Sequence, residues 1–137
     1  MATIQPSKWV GAQAAFVYQF DDNFLGNEGL TTTWISTGGR VGFAPTTHFK
    51  VLGEAGYDRI TKSNGSPMQF LAKGTIAVAI CADRRFYSRP EMRLFYTEAH
   101  WNAAAATVGV DSGRIYTDVY PQLTRGSIFG LQAETWW

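Results

Sequence analysis

Three carboxylates, Glu54, Asp58 and Glu91, are the side chains with which this sequence could attempt acid–base chemistry. A glycosidase needs two such groups, one of them kept protonated by its surroundings. These three stand on different strands of an open, charged face with nothing to desolvate any one of them, so they are expected to line a surface and not to hydrolyse. His48 and His100 lie on separate strands without a third ligand nearby, and no Cys/His cluster accompanies them, so no metal is expected. Cys81 is the single cysteine, which excludes an internal disulfide. There is no G-x-S-x-G and no P-loop. No enzyme and no cofactor are expected.

The remaining charged residues carry a different message, which is periodicity. Successive side chains of a strand point to opposite faces. Read that way, Arg40, Lys50, Glu54, Asp58, Lys73, Arg93 and Glu134 all fall opposite apolar faces. The last nine residues show the pattern plainly. Phe129, Leu131, Ala133, Thr135 and Trp137 share one side, and Gly130, Gln132, Glu134 and Trp136 share the other. A soluble sheet with one wet face can alternate like this. So can a strand with lipid on one side, a wet lumen on the other and aromatic girdles at its ends.

Composition narrows the class. The chain has 137 residues, a formal charge of +1, 15% aromatic residues and 14 glycines. The near-neutral charge gives no footprint for nucleic acid. The longest uncharged apolar run, residues 74–82, is far short of the roughly 20 that a membrane helix needs. A membrane strand needs only about 9–11. Residues 1–8 contain no basic segment followed by an apolar one, so no signal peptide is expected there.

Six strands are expected, over 9–20, 31–43, 48–58, 70–82, 90–101 and the closing stretch to 137. The connections at 21–29, 59–68 and 102–126 are long and polar, and those at 44–47 and 83–89 are short. Long loops at one end and short turns at the other is the build of a membrane β-barrel. The apolar faces also carry Gly39, Gly53, Ala55 and Gly74. Lipid tolerates such small outward residues, whereas a packed core fills its gaps.

The stretch Tyr87-Ser-Arg-Pro-Glu-Met-Arg-Leu-Phe-Tyr-Thr-Glu-Ala-His-Trp-Asn102 resembles the carboxy-terminal part of the maltoporin (LamB-type sugar porin) family. Three further pieces match in order: Thr33-Trp-Ile-Ser-Thr-Gly, Glu54-Ala-Gly-Tyr-Asp58 and Leu131-Gln-Ala-Glu-Thr-Trp-Trp137. The resemblance implies an eighteen-stranded trimeric barrel in the bacterial outer membrane that passes maltodextrins or other oligosaccharides by facilitated diffusion. It also implies a line of lumen aromatics on which sugar rings stack. Two positions of that line fall here, Trp136 and Tyr87, the latter where the family usually has Trp.

The resulting expectation is an all-β fold: an antiparallel transmembrane β-barrel segment of about six strands. It would form the C-terminal third of the porin barrel, as one incomplete domain over 1–137. Sugar would stack on Trp136 and Tyr87, while Arg40, Lys50, Glu54, Arg93 and Glu134 line the lumen wall. Outer-membrane lipid, the sugar and, at full length, two further copies are the expected partners. The alternatives are a soluble β-sandwich carbohydrate-binding module, or a truncated porin fragment without independent activity. Apolar faces packed on each other would mark the module; apolar faces pointing outward would mark the porin.

Overall fold

The structure is a computed structural model, and residues 1–22, 30–106 and 123–135 are described. They form a single antiparallel sheet of seven strands: β1 (Ala2–Ile4), β2 (Val10–Asp22), β3 (Thr31–Phe43), β4 (Phe49–Lys62), β5 (Gln69–Cys81), β6 (Glu91–Trp101) and β7 (Arg125–Glu134). Each strand pairs with its neighbours in sequence, in the order β1-β2-β3-β4-β5-β6-β7.

This corrects the expected barrel segment of about six strands. Among the described residues the strands number seven and the sheet does not close: no ladder joins β1 to β7, which leaves both lateral edges open there. Closure requires the first strand to meet the last, and about 8 strands are needed for even the smallest filled barrel. β1 escapes a periodicity reading because three residues are too few to show a period. β4 also runs on to Lys62, where the sequence reads as loop from 59, because Arg59 and Thr61 continue the ladder opposite Ile35 and Thr33. Most of the long connections 21–29 and 102–126, and the terminal pair Trp136 and Trp137, lie outside the described residues.

The register stacks like side chains into rows. Phe43, Val51, Val78, Leu94 and Leu131 face one another across five strands, and Val41, Gly53, Ile76, Tyr96 and Phe129 form the next row. Both rows lie on the same face. That face is uncovered: Phe16 is 63% exposed, Ile80 68% and Leu131 68%. No second layer packs against it among the described residues.

The opposite face holds the polar rows Gln13-Arg40-Glu54-Thr75-Thr97 and Lys50-Ala79-Arg93-Gln132. It is partly covered by the connection 82–90, which leaves β5 and crosses the sheet toward β2 and β1. Beside this connection is a small apolar cluster of Leu52, Ala77 and Ala79 with Phe95. The ordinary arrangement of a soluble sheet is thereby inverted. Here the large apolar side chains are outside, and Lys50 (2% exposed), Glu91 (3%) and Arg93 (4%) are inside.

Candidate functional site

The polar face is organised by one continuous chain of ion pairs. Arg40 Nε meets Glu54 Oε1 at 2.7 Å, across the β3/β4 register that places them directly opposite. Glu54 also lies 3.6 Å from Arg93. Arg93 goes on to Glu91 at 3.4 Å and to Glu134 of β7. Glu91 gathers two more cations, Lys50 at 3.0 Å and Arg89 at 3.5 Å, and Arg89 returns to Glu134. Four cations thus alternate with three carboxylates. Opposite charges on neighbouring strands with Cβ atoms close together favour such pairing. The cost of removing Glu91 and Arg93 from water is offset by the three opposite charges that each of them meets.

Of the seven charged residues expected on the polar face, the five expected to line the wall, Arg40, Lys50, Glu54, Arg93 and Glu134, lie in this network. Glu91 and Arg89 join them. Glu91 sits two residues before Arg93 and so shares its face, which the alternation already implies. Arg89 lies in a turn where no period exists to place it.

Each of the three candidate carboxylates has partners in the structure. Glu54 and Glu91 are each held between cations, and Asp58 accepts a hydrogen bond from Trp34 Nε1 at 3.3 Å. His48 Nδ1 is engaged with the Cys81 carbonyl at 3.2 Å, and His100 Nε2 lies 3.3 Å from Glu98, on the other face of the sheet. Among the described residues no three His, Cys, Asp or Glu side chains are grouped to hold a metal ion.

The covering connection is tied down at several points. Lys50 Nζ donates to the Arg85 carbonyl at 2.8 Å. Arg84 Nη2 donates to Thr47 Oγ1, and its guanidinium lies 4.9 Å from the centre of the Trp9 ring. Asp83 accepts from Arg85 Nε at 2.7 Å. That hydrogen bond, with a second from the Arg84 backbone N–H, holds the Asp83 carboxyl below the ordinary aspartate range.

Tyr87 rides on this connection above the polar face and is 48% exposed. Trp136, the other expected stacking residue, lies outside the described residues. Between the strands and beyond the ion pairs lies an open recess of about 320 Å³, lined by Gln13, Ser36, Arg40, Glu54, Asp58 and Lys73 among others. Its wall offers donors and acceptors of both charges with little net sign. That suits a hydroxyl-rich neutral ligand better than an ion.

Two comparisons bear on this site. The family model described as LamB porin matches residues 1–137. Maltoporin 2 of Yersinia pestis (strain Pestoides F) is 33% identical over 109 residues, which covers 77% of this chain and 24% of that protein. The chain thus spans about a quarter of the length of that relative.

Proposed function

The chain belongs to the LamB porin family, and from that membership we propose that it is a section of a sugar-porin wall with no transport of its own. The family is one of transport, and the chain is not an enzyme. The observation that carries the proposal is the inverted sheet, with large apolar side chains uncovered on one face and buried charges on the other. An exposed apolar surface of this extent needs a non-aqueous neighbour. Outer-membrane lipid is the neighbour the family provides.

The polar face then borders a wet path for maltodextrins or other oligosaccharides. A pyranose has an apolar face that fits an aromatic ring, and Tyr87 and Trp136 are assigned that role. The rows containing Arg40, Glu54, Lys50, Arg93 and Glu134 line the wall beside them, their mutual pairing leaving a surface that attracts neither ion sign strongly. Trimeric assembly belongs to the same proposal for the setting in which the whole wall is present. The absence of independent transport is supported by the open sheet: among the described residues it does not return on itself and so encloses no path, and lipid does not tolerate unpaired strand edges.

Reconstitution into lipid vesicles tests both halves. The chain is expected to partition into the vesicles and to leave their permeability to maltotetraose at the level of lipid alone. Permeation above that level would overturn the absence of independent transport. A chain that stays monomeric and soluble without detergent or lipid would overturn the wall assignment.

A further inference from the structure

We infer that Thr3 and Phe86 are positioning residues for the Tyr87 ring, fixing its plane above the polar face. This rests on the reading of Tyr87 as a sugar platform. The ring is clamped from two directions. Its hydroxyl shares a 2.8 Å hydrogen bond with Thr3 Oγ1 on β1, and Phe86 meets it edge-to-face, with ring centres 5.1 Å apart and planes at 87°. Edge-to-face pairs have a preferred geometry, and so constrain orientation as well as distance.

Phe86 is itself locked. It seats in a notch made by two glycines on adjacent strands, Gly11 and Gly42, which are register partners. A Cβ at Gly11 would come within 2.6 Å of Phe86 Cδ2, and one at Gly42 would approach the same ring at 3.7 Å. The Phe86 backbone N–H donates to Gln5 Oε1 at 3.3 Å, which ties the connection to the chain just after β1. The positions of β1 and of the glycine notch are therefore transmitted to the exposed ring of Tyr87.

A stacking surface is useful in proportion to how little of its orientation must be lost on binding. A tyrosine on a free turn would sample several rotamers. Here one end is held by a hydroxyl and one edge by a ring, while the rest of the aromatic surface stays open. The short strand β1 thereby acquires a role beyond edge pairing, because it carries the hydroxyl that the phenol needs.

The test is saturation-transfer NMR of maltotetraose with the full chain in detergent micelles, with amide spectra recorded on each variant to confirm an unchanged sheet. Thr3→Val keeps the shape and removes the hydroxyl, and is expected to weaken binding about three- to tenfold, the range of one neutral hydrogen bond. Thr3→Ser should restore it. Tyr87→Phe should match Thr3→Val, and the double variant should be no worse than either alone, the signature of a shared interaction. Phe86→Leu should also weaken binding. Tyr87→Ala separates the two ideas. If Tyr87→Ala leaves binding unchanged, the platform reading itself falls. If Tyr87→Ala weakens binding while Thr3→Val and Phe86→Leu bind as the parent does, or Thr3→Ser fails to rescue, the positioning inference alone is overturned.

Discussion

Glu91 shows how much a single side chain can hold at the residue scale. It is buried and touches Lys50, Arg89 and Arg93, three cations contributed by β4, the turn and β6. Glu91→Ala leaves those cations with one fewer counter-charge in a site that water does not reach. Breaking a buried pair from one side costs about 3–5 kcal/mol, and the loss should appear as a lower midpoint in urea unfolding from micelles. Asp83 offers the exposed contrast. Its folded pKa is depressed, so its contribution to stability is present above the unfolded value and is lost as pH falls through the folded one. A carboxyl-detected NMR titration should therefore find the Asp83 midpoint below the ordinary aspartate value, and Arg85→Ala should move it upward.

Glycines make opposite demands on the two sides of the sheet at the scale of strands. Gly11 on the polar side of β2 faces the Phe86 ring, whereas a Cβ at Gly53 on the apolar side of β4 would meet nothing within 4 Å. Gly11→Ala forces the covering connection to shift and is expected to cost about 1–3 kcal/mol, as overpacking does. Gly53→Ala should stay within about 0.5 kcal/mol of the parent. Thermal or urea unfolding of the two variants side by side checks this. Equal costs would mean that the connection 82–90 does not lie on the sheet as described. The sequence reports both positions as glycine in an alternating strand, and only the crossing of a distant turn distinguishes them.

The inverted sheet governs behaviour at the scale of the whole molecule. With Cys81 replaced by alanine, Ile76→Cys and Leu131→Cys should react with a lipid-soluble thiol reagent in vesicles and resist a membrane-impermeant one. Reaction with the impermeant reagent at both sites would place the apolar face in water and remove lipid as its neighbour. The two edges left open among the described residues, at β2 beyond its short pairing with β1 and at β7, present backbone groups that invite association. Concentration-dependent oligomers in mild detergent are the expected consequence, read by light scattering.

What the sequence determined by itself was the two-faced character of the strands. Alternation is local, so Val78, Leu94 and Leu131 could be assigned to one face and Lys50, Glu54 and Arg93 to the other from spacing alone. The family was likewise legible, because its motifs are contiguous runs such as the one from Tyr87 to Asn102. The tertiary structure alone decided three things. The sheet stays open, since closure depends on whether the first and last strands meet, which no local pattern encodes. Seven charges on the polar face form one linked network that includes Arg89, because pairing depends on register and on a turn without periodicity. And Tyr87 is held by Thr3, a residue 84 positions away in sequence, through a contact that exists only because the turn crosses the sheet to reach β1.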